Sequence, residues 1–157
     1  TLWRKLVLET IGKPETVRWE EADQILFLQS LVDGLGCEFI VVGLDLRITR
    51  YRTPLSRQNK ALEQAAIGQC CFEVTHGRNS ICESYECECP ITKILEINNQ
   101  VTVTHYHENP LEGTDKKKCV NILALPIRDN QSKITQIAEL IFDTDIPMQI
   151  RPVARRQ

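Results

Sequence analysis

The sequence predicts an α+β fold: a five-stranded antiparallel sheet with helices on one face and a flanking helix at the N-terminus. Three observations predict it. Apolar residues recur at helical spacing within 17–34, residues 100–107 alternate strictly at the start of a strand-rich last third, and a cysteine-rich, turn-prone stretch lies between them. At 157 residues the chain suits one domain, read as an N-terminal helical segment (1–34), a core (35–146) and a C-terminal linker (147–157). The net charge of -2 argues against a dedicated nucleic-acid surface. No apolar run is long enough to cross a bilayer, and no signal-peptide pattern opens the chain, so the expected location is the cytoplasm. The chain starts at Thr1 and is read as a piece of a longer protein.

In chain order, residues 2–11 and 17–34 read as helices split at Gly12-Lys13-Pro14, because proline cannot donate a backbone hydrogen bond. Ile25, Leu28, Leu31 and Val32 repeat at helical spacing in the second, and Gly34 and Gly36 end it. Residues 37–46 and 47–52 read as two paired strands. Pro54 then interrupts, and residues 55–66 give short helices with Ser56 as a cap. After Pro90, whose missing amide suits a first helical position, Ile91, Ile94 and Leu95 mark a short amphipathic helix. Residues 100–107 alternate strictly, with Val101, Val103, His105 and His107 on one face. Residues 119–128 and 134–143 are the last two strands, joined by a turn at 129–133; Pro126 inside a strand implies an edge or a bulge.

The most informative stretch is Gln69–Pro90, QCCFEVTHGRNSICESYECECP, which holds five of the seven cysteines around His76. An odd cysteine count excludes complete intrachain pairing. Without a secretory signal, clustered cysteines point to metal or thiol chemistry. Thiolate and neutral imidazole are both good donors to borderline and soft metals. The stretch reads as irregular, with too little apolar content to fold by itself. Cys37, Cys70 and Cys119 read as strand or core residues.

The order helix, two strands, short helices, helix and three-stranded meander resembles a PAS domain. ALPIRDNQSKITQIAELIFDTDI (124–146) resembles the closing strand pair of that family, and IGQCCFEVTHG (67–77) resembles the segment leading to its central helix. The turn at 129–132 departs from the family in lacking a glycine. A bacterial signalling subgroup carries a cysteine, a histidine five residues on, a second cysteine and a Cys-Pro pair; Cys71, His76, Cys82 and Cys89-Pro90 match that order. The resemblance implies a sensory input module feeding an output domain such as a histidine kinase, with no catalysis in this segment. The resemblance does not by itself say what is bound; the donor chemistry of the matched residues makes Cys71, His76, Cys82 and Cys89 the expected metal ligands, with Cys87 as the alternative fourth.

Three thiolates and one imidazole favour zinc in a closed tetrahedral site, and the rival is an iron–sulfur cluster acting as a redox or oxygen sensor. A metal-free thiol switch and a small-ligand module with a structural cysteine cluster are the other readings. The residues after Cys71 lack the Arg and Gln that hold flavin in light-sensing relatives. His105 and His107 read as strand-face histidines rather than haem ligands, and Cys71 with His76 lacks the third partner a catalytic dyad needs. The expected partners are a second copy, through the flanking helices, and the parent protein's output domain. Neither nucleic acid nor a membrane is expected to engage this segment.

Overall fold

Five strands form one antiparallel sheet in the order β2–β1–β5–β4–β3, so the last strand in sequence lies at its centre. The strands are β1 (Glu38–Gly43), β2 (Ile48–Arg52), β3 (Val101–His107), β4 (Lys118–Arg128) and β5 (Ile134–Asp143). The helices are α1 (Glu21–Leu35), α2 (Lys60–Ala66), α3 (Cys71–His76) and α4 (Pro90–Ile97). The computed structural model describes residues 21–83, 87–108, 110 and 117–144. The expected helix at 2–11, most of the loop at 109–118 and the basic C-terminal tail fall outside them. The chain divides into two units, Thr1–Gly34 and Leu35–Gln157.

Alternation along the strands decides which face is buried. Val101, Val103, His105 and His107 face inward while Thr102, Thr104 and Tyr106 are exposed, the period of two expected of a half-covered strand. Ile40 and Val42 of β1, Val120, Ile122 and Ala124 of β4, and Ile137 and Ile141 of β5 meet Val74 of α3 and Ile91 and Ile94 of α4 in one core. Side chains from the sheet and the helices thus share a single dry layer, which fixes strand register because a slip of one residue would expose every one of them.

Local chemistry sets the boundaries. The helix cap is Asn59, not Ser56: the Asn59 side chain accepts from the Ala61 amide, whereas the Ser56 hydroxyl is spent in its own turn, bonded to the Thr53 backbone. The cysteine-rich stretch is helical over Cys71–His76 rather than irregular throughout. Both ends of that helix are satisfied. The Cys70 amide donates to the Glu73 carboxylate, and Gly77, in the left-handed region at φ 59°, sends its own amide to the Glu73 carbonyl while Arg78 donates to that of Phe72.

Pro90 opens α4 as the sequence predicts, although Leu95 is exposed and only Pro90, Ile91 and Ile94 are buried. Pro126 lies in an interior strand, yet β3 pairing ends at Val101↔Ala124, so β4 has no β3 neighbour at the proline. A bulge follows at Ile127/Arg128. In the turn that lacks glycine, Ser132 takes the left-handed conformation at φ 63° and donates its amide to the Asp129 carbonyl.

Candidate metal centre

Helix α3 ends against the end of β3. The Glu108 amide donates to the Thr75 carbonyl at 2.9 Å, which locks the two ends together and carries His76 to the strand. There it meets His105 and His107, which share the inward face of β3 because they are two residues apart. The ring centroids lie 4.8 Å apart for His76–His107, 5.4 Å for His76–His105 and 6.0 Å for His105–His107. All three imidazoles are buried.

Two of these rings have their tautomers fixed by backbone. His76 Nδ1 is 3.0 Å from the Tyr106 carbonyl and His105 Nε2 is 2.5 Å from the Glu88 carbonyl. A carbonyl oxygen only accepts, so those nitrogens carry the hydrogens, and His76 Nε2 and His105 Nδ1 are left as lone pairs. Both lone pairs face the Cys87 thiol, whose Sγ is 3.9 Å from His76 Nε2 and 3.6 Å from His105 Nδ1. The three donor atoms lie within 4.8 Å of one another. One thiol proton therefore serves two acceptors. Ring nitrogens held by carbonyls on their far side are the usual outer support of metal-binding histidines.

Electrostatics keep these donors uncharged. Burial, with a smaller contribution from His105, pushes the His76 imidazole down to about 4, and burial lowers His105 and, more strongly, His107. Burial likewise raises the Cys87 thiol.

The structure divides the sequence-implied ligand set between two adjoining groups. His76 stands with Cys87 and His105. Cys71 at the start of α3, Cys82 in the following loop and Cys89 at the N-cap of α4 form a separate thiol group against the core. The two groups touch where the Cys82 thiol hydrogen-bonds to Cys87. Burial raises Cys82 to about 12 and Cys71 further still, and buried thiols of this kind are poor nucleophiles. Glu139 adds to the upward shift of Cys71.

Glu139, His105 and His107 are the residues whose part at the site sequence reasoning missed. Glu139 lies on the central strand with Ile40 and Ala124 as its cross-strand partners, and burial raises its carboxyl to about 7. The legible signal for the histidines was their place in the row Val101, Val103, His105, His107, which continues an apolar face. A cleft lined by Ile81, Cys82, Glu83, Glu88, Cys89, Lys93 and Glu96 opens over the thiol group, and Lys93 pairs with Glu88 at 2.6 Å.

No protein-family model matches the chain, and no curated protein matches it. Its fold does match solved structures. A PAS domain from Colwellia psychrerythraea superposes with TM-score 0.56 at 13% identity, over 76% of this chain and 96% of that one. A sensory box sensor histidine kinase from Vibrio cholerae gives 0.50 at 17%, over 78% and 92%. A Rhodobacter sphaeroides LOV protein gives 0.57 at 14%, over 82% and 71%. The five-stranded antiparallel sheet and its covering helices are a PAS fold.

Proposed function

We propose that this chain is the sensory input module of a bacterial signalling protein, and that it holds a metal ion on His76, Cys87 and His105. One observation carries the reading: two backbone-oriented imidazole lone pairs converge on a single buried thiol. A dication resolves the shortage of protons by displacing the thiol hydrogen and accepting both nitrogens and the sulfur. Zinc is the proposed ion, since it accepts mixed nitrogen and sulfur donors without a redox requirement.

The reading takes Cys87, the alternative in the sequence-implied set, as the thiolate. Cys71, Cys82 and Cys89 then flank the centre. An iron–sulfur cluster would draw on them instead, and a metal-free switch would need a reactive thiol, which the raised proton affinity of Cys71 and Cys82 opposes.

Signal would pass along β5, which lies at the centre of the sheet, to the chain's flanking segments. Leu28, Leu31 and Leu35 repeat at helical spacing on α1 and are exposed, which supports pairing with a second copy. An output domain of histidine kinase type is the proposed recipient.

Elemental analysis and an absorption spectrum of anaerobically purified protein test the proposal. One zinc per chain, lost in Cys87→Ser and His105→Gln, is the expected result. Iron with sulfide and a visible band would replace it with the cluster reading, and metal-free protein would remove the centre.

A further inference from the structure

The His76–Cys87–His105 group supplies three donors, and a closed tetrahedral site needs a fourth. Two neighbours compete for that place. The Cys82 thiol is already engaged in a hydrogen bond to Cys87 and is only partly buried. His107 differs on both counts: it is 3% exposed, and its Nδ1 is buried without a hydrogen-bond partner among the described residues. A native structure seldom leaves a buried ring nitrogen unpaired unless something absent from the protein chain pairs with it.

We propose that His107 is the fourth ligand, completing a centre of three imidazoles and one thiolate. The inference rests on the metal-binding reading above and specifies it. Three features of placement support it. His107 follows His105 by two residues on the same buried strand face, so β3 alone presents two imidazoles to one side. Its ring stands edge-on to that of His76 at 4.8 Å between centroids. It lies outside the 4.8 Å donor group in its present orientation, so ligation requires its ring to turn about its two side-chain torsions.

The chemical class of the ion follows from the donors. Imidazole-rich sites suit zinc, iron, nickel and copper as single ions, whereas iron–sulfur clusters are held mainly by thiolates. With four protein donors the ion keeps no open position for water, so the centre is a structural or sensing element and not a hydrolytic one. On binding, the Cys87 S–H bond breaks, its proton leaves to solvent, and the sulfur and three ring nitrogens each donate a pair to the dication.

The test is cobalt(II) titration of the reduced 157-residue chain under anaerobic conditions, alongside X-ray absorption of the zinc-loaded wild type. The expected first shell is one sulfur and three nitrogens. His107→Gln should weaken cobalt binding about tenfold or more, at least as much as losing an outer-sphere partner does. It should also dim the d–d bands while keeping the sulfur-to-cobalt charge-transfer band, as water replaces the lost nitrogen. Cys82→Ser, whose hydroxyl can still donate to the Cys87 sulfur, should leave the first shell at one sulfur and three nitrogens.

A first shell of two sulfurs and two nitrogens, or full affinity in His107→Gln with affinity lost in Cys82→Ser, overturns the assignment of His107 and leaves the centre standing. Wild-type chain that binds cobalt no better than Cys87→Ser overturns both. The X-ray absorption result needs no substitution, so a variant that fails to fold does not shield the proposal.

Discussion

Cys87 and His105 are joined on both sides of one ring: the Cys87 sulfur lies 3.6 Å from Nδ1, and the carbonyl of the next residue, Glu88, lies 2.5 Å from Nε2. Two consecutive residues of the loop before α4 therefore grip both nitrogens of a strand histidine. The carbonyl sets the tautomer and the sulfur meets the resulting lone pair. That arrangement is what a metal ion would find ready-made, and the first expectation concerns it directly.

Replacing His105 with Gln removes the ring that both Cys87 and Glu88 address. Zinc affinity should fall more than about tenfold. Competition with a chromophoric chelator measures it, and an unchanged affinity would take His105 out of the centre.

Metal binding should release protons and weaken in acid. The Cys87 thiol is raised by burial and has to ionise before it can bind. Calorimetric titrations in buffers of differing ionisation enthalpy should show net proton release near neutral pH. A release of zero would mean that the thiol is not a ligand.

In the metal-free protein, the histidines make acid destabilising. His76 titrates at about 4 when folded against 6.5 as a free side chain, so between those values the unfolded chain binds more protons. The His76 contribution is fully present above about pH 6.5 and is lost as pH falls toward 4. Glu139 acts in the opposite sense. Its carboxyl, raised from 4.5 to about 7, holds a proton in the folded state, so its contribution is present below 4.5 and is lost as pH rises through 7. Urea midpoints of Glu139→Gln and wild type should therefore diverge in favour of the variant as pH rises from 5 to 7.5. A gap that stays constant with pH would show that the carboxyl titrates normally.

Gly77 follows His76 directly and holds φ 59°, a conformation that costs residues with a Cβ roughly 1–2 kcal/mol. An added Cβ would meet only Pro110 at 3.6 Å and Glu108 at 3.7 Å, so strain and not collision decides the outcome. Gly77→Ala should lower stability by about 1 kcal/mol in urea unfolding. Equal stability would show that the turn relaxes.

Ile94 of α4 is wholly buried against the sheet. Its truncation to Ala should cost about 2–5 kcal/mol, a large share of a small domain's stability. A shift in urea midpoint at constant slope is the expected signature, and a loss below about 1 kcal/mol would place α4 outside the core.

Much of the architecture was legible because it depends on short-range pattern. Alternation in 100–107, Pro90 at a helix start and Gly36 just past the end of α1 each act within a few residues, and each recurs in the structure, whereas Gly34 lies inside the helix it was expected to end. The cap at Asn59 was not legible, because Ser56 is an equally good cap by composition and only its bonds within the Thr53 turn remove it. The helix at Cys71–His76 was missed for a similar reason: it is six residues long and depends on its end bonds more than on periodicity.

By itself the sequence determined that most of the cysteines cluster around His76 after Gly68 and that two histidines share one face of a strand. Which donors meet was decided only by tertiary contact. His76 is 29 positions from His105, and they adjoin because the end of α3 bonds to the end of β3. No local propensity encodes that meeting, since it is set by the packing of a helix on a sheet, and packing depends on the whole core at once.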